Sequence, residues 1–113
     1  MQFSKELLKG NLEIIVLKAI SDAGSCYGYQ MLQVIADESG KIFEFAESSL
    51  YPLLYRLESQ KLIQSERRTA PSGKERRYYE LTEAGKGVLA VKQVELENLV
   101  TGLAKIFKFS LNV

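Results

Sequence analysis

A single pair of strand-like runs, set among segments in helical spacing, constrains this chain more than any other feature. Leu62 to Arg68 and Arg76 to Leu81 (RRYYEL) are separated by TAPSGKE, in which Pro71, Ser72 and Gly73 are turn residues. The reading is a two-stranded hairpin with a loose tip. A lone hairpin is not stable in water, so this one must dock on helices. The rest of the chain supplies them. Leu8, Leu12, Ile15 and Ala19 fall on one face of a helix over Glu6 to Ser21, widened by Leu7, Ile14 and Leu17. Gly10 weakens its start, and Ala23-Gly24 stops it. Met31, Leu32, Ile35 and Ala36 mark a second helix over Gly28 to Ser39, with Gly40 as its C-terminal cap.

The third helix, Glu47 to Gln60 (ESSLYPLLYRLESQ), carries Leu50, Leu53, Leu54 and Leu57 at the spacing of a packed stripe. Pro52 limits where it can begin. Proline has no N–H and clashes with the carbonyl four residues earlier, so a straight helix starts at about Glu47 to Ser49, with Pro52 in its first turn. Ser48 or Ser49 is available as a cap. The first turn then displays Ser48, Ser49 and Tyr51, and Tyr55 and Arg56 follow one turn on. After the hairpin, Thr82 caps a last helix from Glu83 to about Phe109. Helix, helix, helix, hairpin, long helix is the order of a mainly α (α+β) winged helix-turn-helix domain with a C-terminal arm. The boundary expected is 1–82 for the winged domain and 83–113 for the arm.

Composition narrows the function. The 113 residues are 46% hydrophobic and 26% charged with a net charge of +1, which argues for a folded chain rather than a disordered one. No uncharged stretch approaches the roughly 18 apolar residues of a membrane span, and MQFSKELLKG has no signal-peptide pattern, so a cytoplasmic location is expected. The sequence has no His, no Trp and one Cys, Cys26. A His base and a Cys/His zinc site are therefore excluded, and Cys26 reads as a small buried hydrophobe. No nucleophile–base pair or nucleotide cradle can be built, so neither enzyme chemistry nor a cofactor is expected.

Charge is uneven along the chain. Lys61 to Thr82 holds six basic and three acidic residues, giving +3. Gly28 to Gln60 holds two basic and five acidic residues, giving −3. DNA affinity rests on phosphate contacts, which need local positive charge, and Lys74, Arg76 and Arg77 at the hairpin tip supply it. A solvated, charge-protected hairpin would carry the same residues. In the last helix, Leu89, Leu96, Leu99, Leu103 and Ile106 follow alternating steps of three and four, with Lys92 filling one slot. Val88, Val91, Val94 and Val100 form a second row. That is a seam for another helix, and a twofold homodimer covers it most simply.

The strings LLKGNLEIIVLKAI, CYGYQMLQVI, ESSLYPLLYRLESQKLIQSE and GKERRYYELTEAGK together resemble the PadR-like family of bacterial and archaeal transcription regulators. They span roughly residues 7–86, and SLYPLLYRLE followed by RRYYELTEAG is a specific combination. The resemblance implies a short-armed regulator that dimerises through its last helix packed against the first helix of the partner. The interface would then include Leu8 and Leu12 as well as the seam. It implies a DNA-facing Tyr51 in a recognition helix, whose N-terminal residues reach base edges in the major groove. Ser48, Ser49, Pro52 and Arg56 join the candidate contacts. Tyr27 and Tyr29 (the YGY element) and Lys41 fall near the phosphate backbone, with one of the two tyrosines equally readable as a core aromatic. Tyr55 reads as core or interface packing. Some members hold flat aromatic effectors at the dimer interface between Trp side chains. This chain has none, although Leu96, Leu99, Val100 and Leu103 could line an apolar pocket. The expected function is a homodimeric, sequence-specific repressor acting on double-stranded DNA. The alternatives are a winged-helix adaptor for protein partners and a small-molecule sensor with weak DNA binding.

Overall fold

A computed structural model of the chain describes residues 3–8 and 10–110. The elements are α1 (Lys5–Leu8), α2 (Asn11–Ala23), β1 (Cys26–Tyr27), α3 (Gly28–Glu38), α4 (Glu47–Ser59), β2 (Ile63–Thr69), β3 (Glu75–Leu81) and α5 (Glu83–Phe107). The fold is an α+β winged helix. Three helices and the start of α5 pack on one face of a small antiparallel sheet of order β1-β3-β2.

Three expectations about the elements are corrected. The first helix is broken rather than weakened at Gly10, which adopts φ +84°, a left-handed conformation that glycine reaches without strain. The Asn11 side-chain amide donates to the Leu7 carbonyl at 2.8 Å, closing α1 before α2 begins. The sheet has three strands, because Cys26 and Tyr27 pair with Tyr79 and Tyr78 of β3. The hairpin tip is also closed, not loose. The Ala70 N–H donates to the Lys74 carbonyl at 2.7 Å and the Gly73 N–H to the Ala70 carbonyl at 2.8 Å, with Pro71 preset in the turn.

The helix ends follow from local chemistry. α3 ends in a Schellman motif: the Lys41 N–H reaches the Ala36 carbonyl (2.7 Å) and the Gly40 N–H the Asp37 carbonyl (3.2 Å). α4 ends the same way through Leu62 and Lys61, with Lys61 at φ +60°. Thr82 caps α5 as expected, its hydroxyl oxygen accepting from the Gly85 N–H at 3.0 Å. The cap of α4 is not a serine. Ala46 occupies that position and makes no side-chain bond. Starting at Glu47, the helix takes Pro52 into its second turn, which leaves the exposed Ser48 carbonyl without an N–H from position 52.

The core joins Val16, Leu17 and Ile20 of α2, Met31 and Ile35 of α3, the Leu50–Leu53–Leu54–Leu57 stripe of α4, Ile63, Tyr79 and Leu81 of the sheet, and Leu89 of α5. Burying each leucine of the α4 stripe contributes about 2 kcal/mol, so α4 is held rigidly by its apolar face. Cys26 is part of this core at 3% exposure, and burial pushes its thiol up to about 11.

Candidate nucleic-acid interface

The residues that α4 does not bury define the candidate site. With the leucine stripe inward, Ser48, Ser49, Tyr51 and Tyr55 face solvent. Tyr55 is 78% exposed in the single chain, so of the two readings, core or interface packing, the core one does not hold. Residues 48, 51 and 55 are three and four apart and share one face. Tyr51 is 44% exposed and leans on α3. A Cβ added at Gly28 would stand 2.7 Å from the Tyr51 hydroxyl oxygen and 3.0 Å from the ring carbon that bears it. The glycine between Tyr27 and Tyr29 is therefore the seat of the Tyr51 ring.

Other candidates divide between this face and elsewhere. Arg56 turns toward α2, with its guanidinium 3.4 Å from the Glu13 carboxylate. Ser49, Pro52 and Arg56 line a depression shared with Phe3, Leu8 and Leu12. Lys41 sits in the α3–α4 turn, and its ammonium lies 2.8 Å from Asp37. That hydrogen bond, helped by the carboxylate charges of Asp37 and Glu44, raises its pKa above the ordinary lysine value. Tyr29 is exposed, whereas Tyr27 is half-buried, edge-on to Tyr78 at 5.3 Å.

Strand alternation sends Arg76 and Arg77 to opposite faces of the wing. The Arg77 guanidinium donates to the Ser65 hydroxyl (3.1 Å), which donates to the Glu58 carboxylate of α4 (2.6 Å). This chain ties the wing to the C-terminal end of the candidate recognition helix. Beside it, burial first and the Glu58 charge second push the Tyr79 phenol above its ordinary pKa. Arg76 lies over the Tyr27 ring and Arg68 over the Tyr78 ring. Lys74 is exposed at the tip. In the sequence, Arg67 and Arg68 stand out only as part of the basic sum over Lys61 to Thr82. Ser65, Glu58 and Gly28 carry no signal there, because only a three-dimensional neighbour supplies it.

The candidate dimer residues split along α5. Leu89 is in the core, and Leu96 packs partly against it. Leu99, Leu103 and Ile106 are 54%, 39% and 75% exposed, and Phe107 and Phe109 stack in the open at 5.6 Å. Leu12 packs against the core and Leu8 is half-buried. Between α2, α3 and α5 runs an open trough of about 670 Å³, lined by Ile15, Ala19, Val34, Phe43, Leu96 and Val100 among others. Leu99 and Leu103 lie outside its lining. No described helix is long and apolar enough to cross a membrane.

Known proteins agree with this architecture. The model of the transcriptional regulator PadR-like family matches residues 16–91. An uncharacterized protein of Lysinibacillus sphaericus is 31% identical over 85 residues, covering 75% of this chain and 77% of its own. The crystal structure of a Streptococcus transcriptional regulator superposes with a TM-score of 0.79 at 30% identity, covering 91% of this chain and 98% of its own. A PadR-like transcriptional regulator from Bacillus cereus gives 0.80 at 27% identity, over 94% and 100%. A PadR family regulator from Eggerthella lenta gives 0.74 at 33% identity, over 93% and 88%. With a family match across the helices, the wing and the first turns of α5, this chain belongs to the PadR-like family of transcriptional regulators.

Proposed function

We propose that the chain is a homodimeric, sequence-specific repressor that lays α4 in the major groove and the β2–β3 wing on the adjacent backbone or minor groove. The observation that carries this reading is the exposed Ser48–Tyr51–Tyr55 face on a helix otherwise locked into the core, standing beside a strand pair rich in Arg with Lys74 at its tip. Hydroxyl groups both donate and accept, so Ser48, Ser49 and Tyr51 suit base edges and phosphates alike. Tyr29, Lys41, Lys74 and Arg76 serve the backbone. Residues 1–82 form the DNA-binding unit and residues 83–113 the dimerising arm, with Leu89 and Leu96 belonging to both. Leu99, Leu103 and Ile106, exposed in the single chain, are covered by a second copy whose Leu8 and Leu12 lie alongside. The protein acts in the cytoplasm and uses neither metal nor nucleotide.

The test is fluorescence anisotropy with DNA from upstream of the protein's own gene, at two salt concentrations, against excess random duplex. Tight, competitor-resistant and salt-sensitive binding is expected. Tyr51→Ala should weaken it by roughly 1–3 kcal/mol, the value of one base-reading contact, and leave random DNA unaffected. Equal loss on both duplexes would remove Tyr51 from specificity. The apolar trough beside α5 favours a second role, an apolar or flat aromatic effector bound next to the dimer seam. Thermal-shift measurements with such compounds test it, and an unmoved melting temperature at high excess rejects it.

A further inference from the structure

One face of the wing carries a row of four side chains that strand pairing alone does not demand. Tyr27 and Glu66 lie opposite Tyr78 from either side, and Arg68 lies opposite Arg76, two residues nearer the tip. Alternate strand residues share a face, so Tyr27, Tyr78, Arg76 and Arg68 stand together on the outer surface of the sheet. Arg77, Tyr79 and Cys26 stand on the helix side. The outer four are in sequence along the face. The Arg76 guanidinium lies 5.7 Å from the Tyr27 ring centre, Tyr27 meets Tyr78 edge-on at 5.3 Å, and the Arg68 guanidinium lies 5.0 Å from the Tyr78 ring centre. Arg68 also pairs with Glu66 at 2.6 Å, whereas Arg76 has no ion pair among the described residues.

We propose that Tyr27 and Tyr78 are positioning residues for DNA-backbone binding, their rings forming a platform that holds Arg76 and Arg68 with their guanidinium edges toward phosphate. A guanidinium over a ring face is held by the ring's quadrupole and loses little of its hydrogen-bonding capacity, because its five N–H donors lie in its own plane. Restraining two long side chains in advance lowers the ordering cost of a bidentate phosphate contact. The tyrosines therefore act through the arginines. Tyr27, which sequence reasoning set near the backbone as a contact, holds Arg76 instead. The inference rests on the reading that the wing meets DNA.

The experiment measures anisotropy with both the upstream duplex and a random duplex across a salt series. The variants are Tyr27→Phe, Tyr78→Phe, Tyr27→Leu, Tyr78→Leu, Arg76→Ala, Arg68→Ala and the doubles Tyr27→Leu/Arg76→Ala and Tyr78→Leu/Arg68→Ala. Phenylalanine, which keeps the ring, should bind within about twofold of the parent, and leucine should lose roughly two- to fivefold on both duplexes, the scale of an exposed cation–π contact. Each Arg→Ala change should lose at least as much and flatten the salt dependence by about one phosphate. Leucine should add nothing in the Arg→Ala background. Full affinity in the leucine variants, additive losses in the doubles, or equal loss with phenylalanine and leucine would each overturn the proposal. The last result would make the hydroxyls themselves the contacts. If Arg76→Ala and Arg68→Ala both leave affinity and salt slope unchanged, the wing is not on the backbone, and the underlying reading falls with the platform. Circular-dichroism melting checks each fold, and Tyr78→Thr, a good strand former, replaces a leucine variant that fails to melt cooperatively.

Discussion

Replacing Gly85 by alanine adds one methyl group at the tightest backbone approach among the described glycines. That methyl would overlap the Leu62 carbonyl oxygen and stand 3.0 Å from its carbon. The obstacle is backbone, so no side chain can swing away and α5 must shift. The shift strains the two bonds that tie the start of α5 to the turn after α4, Thr82 N–H to the Leu62 carbonyl (3.1 Å) and Thr82 hydroxyl to the Lys61 carbonyl (2.7 Å), and the α5 cap itself, Gly85 N–H to the Thr82 hydroxyl oxygen (3.0 Å). Losing two or three such bonds at about 1 kcal/mol each, with overpacking of about 1–3 kcal/mol, outweighs the gain of up to about 1 kcal/mol from alanine's helix propensity. A net loss of about 2–5 kcal/mol lowers the melting temperature by roughly 10–25 °C. Gly87 is the control, because a Cβ there meets nothing within 4 Å. Gly87→Ala should stabilise by about 0.5–1 kcal/mol. Both are read by thermal and urea unfolding at one protein concentration, since a dimer's melting point depends on it. If the two variants melt together, the close approach of α5 to Leu62 does not exist in solution.

Gly28→Ala meets only the movable end of Tyr51, so its melting temperature should shift by a few degrees at most, while operator affinity falls by about 1 kcal/mol or more; unchanged affinity would sever the link between Gly28 and the DNA face. Leu99→Glu with Leu103→Glu alters residues that the single chain leaves exposed, so sedimentation should report folded monomer, and a persisting dimer would move the interface elsewhere. Cys26 should resist thiol reagents until urea is added. Its folded pKa of about 11 lies above the unfolded value of about 9, so its contribution to stability is complete below pH 9 and lost as pH rises through 11; Cys26→Ala should remove that component of alkaline destabilisation, and an identical pH profile would count against it.

The leucine stripe of α4, the Thr82 cap and the Gly40 stop were legible in the sequence because each rests on residues within one or two turns of one another. The parts that were not legible rest on distant partners. β1 is two residues long, too short to show alternation, and exists only because Tyr78 and Tyr79 are there to pair with it. Arg56 looks like a free cation until Glu13, 43 residues away, is brought beside it. Gly28 and Gly85 read as poor helix formers, and only the Tyr51 ring and the Leu62 carbonyl explain them. Gly10 is a local signal of a stop rather than of a weak start, since a left-handed residue ends a helix. For the candidate site, residue types and the general location were readable, but side-chain direction was not. Tyr55, Arg56, Arg76 and Arg77 received their separate surroundings from the helix and strand faces they occupy.

α5 has one more consequence. It runs unbroken from Glu83 to Phe107, about 37 Å at the usual rise, and its first turns are seated in the same core that fixes α4. In the proposed dimer the helix works as a stiff beam with no hinge between the grip on its own domain and the grip on its partner. Any change in how two such beams cross swings both recognition helices through an arc magnified by that length. The spacing of operator half-sites is then a mechanical read-out of one crossing angle, and a wedge of molecular size between the beams would retune which spacing fits.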